Sequence, residues 1–246
     1  MTRPFSRIAP YYDTMMEFIN YPRWVGYVID IIHKFKKSPK TILDLACGTG
    51  TPSLLLAKRG YRIVGLDSSK EMLRVMKEKL REYNPLLIHG DMRSFKLPYP
   101  VDSTICLFDS LNYLLTEKEL INTFTSVYNN LRWDGLFIFD MNTIAGLTTY
   151  WGNQTFTREI KNTYSIWRTI FDKKKNISTL YLTLFVKTDK GYKRIEEVHQ
   201  ERGYKITDIE SFLKSAGFNR VVFYQHLTFL KAKESNYRIM GVAEKE

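Results

Sequence analysis

The chain of 246 residues has only two cysteines, Cys47 and Cys106, too few for a disulfide framework. No apolar stretch approaches the roughly 20 residues that a bilayer-spanning helix needs. The opening Met1-Thr2-Arg3-Pro4 lacks the apolar core of a secretory signal. The four histidines, His33, His89, His199 and His226, lie in unrelated segments without metal-ligand spacing, so no metal is expected. Repeats and low-complexity tracts are missing too. Together these absences argue against a secreted disulfide scaffold, a helical membrane protein and a zinc module, and they predict a cytoplasmic location. Acidic charge is scarce: 26 Asp and Glu against 37 Lys and Arg leave a net charge of +11. That excess invites an anionic partner, nucleic acid included. The lysines are dispersed, however, around one loop (Lys34, Lys36, Lys37, Lys40) and at an apparent hairpin tip (Lys173, Lys174, Lys175). They form no single basic stripe. With 44% hydrophobic residues, this length supports one large α/β core with room for a small appendage.

The strongest local signal is Ile42-Leu43-Asp44-Leu45-Ala46-Cys47-Gly48-Thr49-Gly50. A short apolar strand ends in a glycine turn, and Pro52 to Ala57 begin a helix. Such a turn lets bare backbone approach a ligand and points unpaired helix N–H groups at it, which suits a nucleotide. A dinucleotide G-x-G-x-x-G fingerprint needs glycine at 53, where Ser53 stands. A second strand, Tyr61 to Leu66, ends in Asp67, placed to accept hydrogen bonds from both hydroxyls of a ribose.

These segments resemble the S-adenosylmethionine-dependent methyltransferases with a Rossmann-like fold. Asp44-Leu45-Ala46-Cys47-Gly48-Thr49-Gly50 is similar to their first motif, and Gly65-Leu66-Asp67-Ser68-Ser69 with Met72 to their second. Gly90-Asp91-Met92 resembles the segment that contacts adenine. Leu107-Phe108-Asp109-Ser110-Leu111-Asn112-Tyr113 resembles the loop under the methionine part. The resemblance covers roughly residues 5–145 and resumes near 205. It implies S-adenosyl-L-methionine as cofactor, with S-adenosyl-L-homocysteine as product. The implied cofactor contacts are Ala46, Gly48 and Gly50 in the turn, and Asp67, Ser68 and Met72 after the second strand. Asp91 and Met92, Phe108, and Tyr12 and Trp24 from an N-terminal lid complete them.

Strand and helix patterns alternate through the middle of the chain, with strands near 41–45, 61–66, 86–89, 101–107 and 135–140. This rhythm predicts a parallel sheet with right-handed crossovers. The expected fold is α/β: a Rossmann-like, seven-stranded, mostly parallel sheet with its last strand antiparallel and helices on both faces. Residues 1–40 read as a helical lid, with 41–150 and 205–246 as the cofactor-binding core. Between 153 and 204 the pattern changes to β-branched and aromatic alternation, predicting an antiparallel β insertion on the substrate side. Ser68 with Glu71, and Thr207 with Glu210, have capping-box spacing at two helix starts.

Within the insertion, alternation puts Glu197, His199 and Glu201 on one strand face. His199 is the candidate general base. Tyr21, Asn112 and Tyr204 are candidate acceptor contacts. The chain lacks the Asn/Asp-Pro-Pro-aromatic tetrapeptide that methylates base amines, and neither cysteine follows a proline. The insertion is similar to that of small-molecule members, including amino-sugar and glycine N-methyltransferase-like enzymes. The expected activity is therefore transfer to N or O of a small molecule. An RNA (tRNA or rRNA) methyltransferase, motivated by the charge, and a non-catalytic cofactor- or partner-binding protein stand as alternatives.

Overall fold

The computed structural model describes residues 4–246; Met1 to Arg3, the start of the expected lid, lie outside the described residues. The strand β1 (Thr41–Leu45) is buried along its whole length, as a strand covered on both faces must be. It pairs in parallel with β2 (Arg62–Asp67) on one side and β4 (Val101–Cys106) on the other. Outside these lie β3 (Leu86–His89), parallel to β2, and β5 (Leu131–Asn142), parallel to β4. The last strand in sequence, β11 (Arg238–Glu244), runs antiparallel to β5, and β10 (Arg220–Gln225) pairs antiparallel to β11. The order β10-β11-β5-β4-β1-β2-β3 is the mostly parallel seven-stranded sheet expected, with β11 alone reversed.

Alternation along β5 sends Phe137, Phe139 and Met141 into one buried cluster and Leu136 and Ile138 into another. The first cluster is closed by α5 (Glu117–Asn130) and α7 (Ile206–Ser215). The second is closed by α2 (Tyr21–Lys34), α3 (Thr51–Ala57) and α4 (Lys70–Lys79). Helices thus cover both faces. After β1 the chain winds outward through β2 and β3, then returns to the far side of β1 as β4. That reversal opens a crevice at the carboxyl ends of β1 and β4, where α/β sheets bind ligands.

Two helix starts differ from expectation. Ser69, not Ser68, caps α4: its Oγ accepts the Met72 N–H at 3.2 Å, while Ser68 is left exposed. The shift follows from Asp67, whose Oδ1 accepts the Ser69 N–H at 2.8 Å and fixes the chain there. At α7, Thr207 lies inside the helix and no side chain caps it from Lys205. Glu234 Oε1 accepts the Ile206 N–H instead, at 2.8 Å. The N-terminal segment also departs from a continuous helix. A 3-10 turn at Ala9–Tyr11 leads into one turn of helix, α1 (Tyr12–Met15), before Asn20 caps α2 with Pro22 in its first turn.

After β5 comes α6 (Ile144–Thr149), followed by four antiparallel strands in sequence order. These are β6 (Gln154–Ile160), β7 (Thr163–Asp172), β8 (Ile177–Thr188) and β9 (Gly191–Arg202). One face of this sheet carries Trp167, Leu182, Leu184 and Ile195, and it is covered by Ile8 and Met15 of the N-terminal segment.

Candidate active site

At the carboxyl end of β1 the backbone leaves extended geometry at once: Ala46, Gly48 and Gly50 have φ of 58°, 52° and 76°. Ala46 holds a left-handed conformation that costs a non-glycine residue energy, the kind of strain that marks ligand sites. A methyl group added at Gly48 would meet nothing within 4 Å, so its glycine leaves open space. That space belongs to a cavity of about 610 Å³, within the range of small-ligand sites. Ala46, Gly48, Asp67, Ser68, Met72, Asp91, Met92, Phe108, Tyr12 and Tyr21 all line it. Asp67 Oδ2 accepts the Gly48 N–H at 2.8 Å. Burial pushes its carboxyl up, while the Ser69 and Gly48 N–H groups pull the other way. A carboxylate has about four acceptor sites, so Asp67 keeps capacity for hydroxyls after these two bonds. Asp44 lies beneath, its Oδ2 accepting the Ser53 hydroxyl at 2.6 Å. That bond explains why residue 53 is not glycine.

The N-terminal segment closes over this cavity. Asp13 Oδ1 accepts hydroxyl bonds from Thr49 at 2.7 Å and Thr51 at 3.1 Å, and Lys79 pairs with the same carboxylate at 2.7 Å. An open glycine cradle, a buried acid with spare acceptor sites and apolar walls from Met72 and Met92 fit an adenosine bearing an amino acid.

A second cavity, about 190 Å³, adjoins the first and shares Phe5, Tyr12, Phe108 and Tyr113 with it. It lies between the core and the insertion sheet, walled by Trp24, Trp151 and Phe156, with Arg158, His199, Glu201, Asp109 and Arg238 among its polar groups. Trp24 stacks on Phe108 with ring centroids 4.3 Å apart. A polar network holds this wall. Asp140 accepts the Phe108 N–H at 2.6 Å and the Asp109 N–H at 3.0 Å, which fixes Phe108 at φ 60°, and it pairs with Arg238 at 2.7 Å. Burial, opposed by Arg238, brings the Asp140 carboxyl up to about 6. Asn142 Nδ2 donates to Asp109 at 2.7 Å and to Glu201 at 2.9 Å. Burial and then the charge of Asp109 push Glu201 well above the usual carboxylate range. Beyond this cavity a groove of about 1050 Å³ continues past Arg158, His226 and Tyr237.

Several sequence-derived expectations need correction. Gly50 does not line the first cavity; it starts α3, and a side chain there would strike Met76 at 2.5 Å. Trp24 lines the second cavity rather than the first. Asn112 is fully buried, bonded to the backbone of Asn142 and Arg202 at 2.9 Å each, and lines neither cavity. Tyr204 packs in the core with its hydroxyl on the Leu114 carbonyl, also away from both. Tyr21, expected to contact the acceptor, lines the first cavity and not the second. His199 does reach the second cavity, yet both ring nitrogens face protein. Nδ1 is 3.1 Å from the Tyr113 hydroxyl, and Nε2 is 3.2 Å from Glu197, close enough to pair but poorly aligned for a hydrogen bond. Sequence reasoning did not select Tyr113, Asp140, Arg238 or Glu201 for the site. Glu201 left a signal in its place on the face of His199, and Tyr113 in closing the segment that resembles the loop under the methionine part; Asp140 and Arg238 left none. Among the described residues no group of His, Cys, Asp and Glu could hold a metal ion, and no helix is long and apolar enough to cross a membrane.

A family model described as a methyltransferase domain matches residues 42–135, the stretch from β1 into β5. YqeM of Bacillus subtilis (strain 168), named as a methyltransferase, is 30% identical over 217 residues, spanning 87% of this chain and 86% of that protein. A dTDP-3-amino-3,6-dideoxy-alpha-D-glucopyranose N,N-dimethyltransferase of Streptomyces fradiae is 30% identical over 117 residues, 47% of this chain and 45% of its own. The crystal structure of an S-adenosylmethionine-dependent methyltransferase from Clostridium acetobutylicum ATCC 824 matches with a TM-score of 0.85 at 28% identity, covering 98% of this chain and 99% of that one. With its strand order, switch-point crevice and glycine turn, this chain belongs to the S-adenosylmethionine-dependent methyltransferases.

Proposed function

We propose that the chain transfers a methyl group from S-adenosylmethionine to a nitrogen or oxygen of a small molecule by direct in-line displacement. The wall shared by the two cavities supports this most. A donor held beside Asp67 and an acceptor held beside Glu201 would meet across Phe5, Tyr12, Phe108 and Tyr113. In this reading Asp67 takes the ribose hydroxyls, Asp91 and Met92 the adenine end, and Ala46 and Gly48 the amino-acid end, with Asp44 behind them. When bound, the sulfonium supplies an electrophilic methyl group. The chain's own part is to align the acceptor, exclude water and take up a proton.

The second cavity combines aromatic walls with carboxylates, a setting that suits an amine or hydroxyl on a compact ring. The amino-sugar activity in the name of the Streptomyces fradiae relative is consistent with that class. Glu201 is the better candidate for proton transfer than His199: it lines the second cavity, burial and the charge of Asp109 raise its carboxyl above the usual range, and Asn142 orients it, whereas both imidazole nitrogens face protein groups. The net charge of +11 favours the RNA alternative, but the small second cavity enclosed beneath the N-terminal segment favours a small acceptor.

Calorimetry with S-adenosylhomocysteine tests the donor site: binding is expected in the wild type and strong weakening in Asp67→Ala. No binding at millimolar ligand, or equal binding in the variant, would sink the reading. Tritium transfer from labelled donor into a metabolite extract then tests turnover and identifies the acceptor; no transfer would leave only a cofactor-binding protein. Filter binding to tRNA across a salt series tests the rival, with tight binding and a steep salt slope as the result that would favour RNA.

A further inference from the structure

Glu197 lines neither cavity and is not needed for either set of contacts above. Its carboxylate, on the covered face of β9, is nevertheless almost wholly buried, with its side chain 1% exposed. Burying a carboxylate is costly unless strong donors surround it. Here three of them come from a segment about 190 positions earlier in the chain. Glu197 Oε2 accepts the Phe5 N–H at 2.7 Å, and Oε1 accepts the Arg7 N–H at 2.8 Å and the Ile8 N–H at 3.3 Å. Successive backbone N–H groups turned onto one anion form a nest, and Phe5 reaches it through a left-handed φ of 65°. Burial pushes the Glu197 carboxyl up, but His199 and the Phe5 and Arg7 N–H groups outweigh it and hold the group below the usual carboxylate range.

What these bonds hold in place is a piece of both cavities. Phe5 lines the donor side and the acceptor side alike. Its ring rests 4.7 Å from that of His199 and 5.3 Å from that of Tyr113. His199 in turn links Glu197 to Tyr113, which also lines both cavities. On the core side, the segment's nearest polar tie is a long one, the Ser69 hydroxyl to the Phe5 carbonyl at 3.4 Å. The roof over the donor is therefore fastened chiefly from the insertion sheet, the side that faces the acceptor.

We propose that Glu197 is a positioning residue: it holds residues 5–8 as a roof over the donor cavity and couples the state of the acceptor cavity to donor retention. The coupling rests on the methyl-transfer reading above; the holding of the roof does not. An acceptor packed against His199 and Tyr113 steadies the groups that grip the roof, and a filled donor cavity steadies Phe5 from below. By linkage, each ligand then tightens the other.

Hydrogen exchange of the full chain without ligand, followed at residues 4–9, tests the holding for wild type, Glu197→Gln and Glu197→Ala. The Phe5, Arg7 and Ile8 amides are expected to exchange about tenfold faster in the glutamine variant, which keeps one acceptor oxygen, and faster still in the alanine variant. The amides of β1 and β5 are expected to keep their protection. Should the alanine variant lose protection there as well, it has unfolded and the glutamine variant decides. The second readout is dissociation of S-adenosylhomocysteine, expected to be about tenfold faster in Glu197→Gln. A residue that only packed the insertion sheet would leave that rate alone. Equal exchange at residues 5–8 in wild type and both variants overturns the proposal, as does faster exchange with an unchanged dissociation rate. If the wild type binds no S-adenosylhomocysteine, the methyl-transfer reading and the coupling fall together, and exchange alone still judges whether Glu197 holds the roof.

Discussion

Asp44 occupies an awkward place for a carboxyl: buried beneath the glycine turn, it is pushed up to about 7 by burial, against the pull of the Ser53 hydroxyl and with a further push from Asp67. Below neutral pH the folded protein therefore holds it uncharged. A ligand ammonium bound above the turn favours the ionised form, so binding must ionise the group at low pH and gains its charge freely at high pH. The affinity for S-adenosylhomocysteine is accordingly expected to rise as pH increases from 6 to 8, by up to about tenfold, and calorimetry should find a flatter profile in Asp44→Asn. Glu201 gives a different signature. Glu201→Gln preserves shape and the bond from Asn142 but removes the proton acceptor, so turnover should fall by about a hundredfold or more with S-adenosylhomocysteine binding unchanged. An equal loss in binding would move Glu201 to the donor side. At this scale the meeting of Asp44 and Asp67 at the glycine turn was legible because a strand, a turn and a helix place them by local geometry. Asp140 and Arg238 were not, because their meeting depends on the pairing of β5 with β11, nearly a hundred residues apart.

Near the starts of α4, α5 and α7 a hydroxyl residue stands three before a glutamate, at Ser68, Thr116 and Thr207, and the three are indistinguishable in sequence. Only Thr116 makes the reciprocal bonds, its Oγ1 accepting the Glu119 N–H at 3.2 Å while Glu119 accepts the Thr116 N–H at 3.0 Å. At the other two starts a different carboxylate decides: Asp67, two residues earlier, draws the cap of α4 to Ser69, and the distant Glu234 serves the first amide of α7. Thr116→Ala should therefore lower stability by about 1 kcal/mol in urea unfolding, and Thr207→Ala, at an exposed interior position, should change it by less than about 0.5 kcal/mol. The helices themselves were readable from apolar periodicity, whereas their first residues depend on contacts that periodicity does not carry. The N-terminal stretch illustrates the same limit. Its apolar residues suggested a helix, but Ile8 and Met15 serve the inner face of the insertion sheet from the two ends of a pair of short turns.

Across the whole molecule, the seven-stranded sheet was predictable because each parallel strand announces itself by a short apolar run, and a helix follows β1, β2 and β4 before the next strand. The joint between sheet and insertion was not, since it is made by residues 5–15 lying against the insertion sheet and by distant pairs such as Asn142 with Glu201 and Tyr113 with His199. That joint has a consequence for autonomy. Four strands with one apolar face need a cover, and here the cover comes from the start of the chain. A fragment of residues 150–205 should therefore show no cooperative thermal transition by circular dichroism, whereas the full chain should unfold with both sheets in one step. The bonds from Glu197 to Phe5, Arg7 and Ile8 also set an order in time. Their partners are separated by 189 to 192 positions. At synthesis rates of about 5–20 residues per second, the first residues wait roughly 10–40 seconds for the carboxylate that fixes them. The segments of β1, the glycine turn and β2 are made long before that, so during translation they stand without the cover of residues 5–8, which can be fastened only after β9 has emerged.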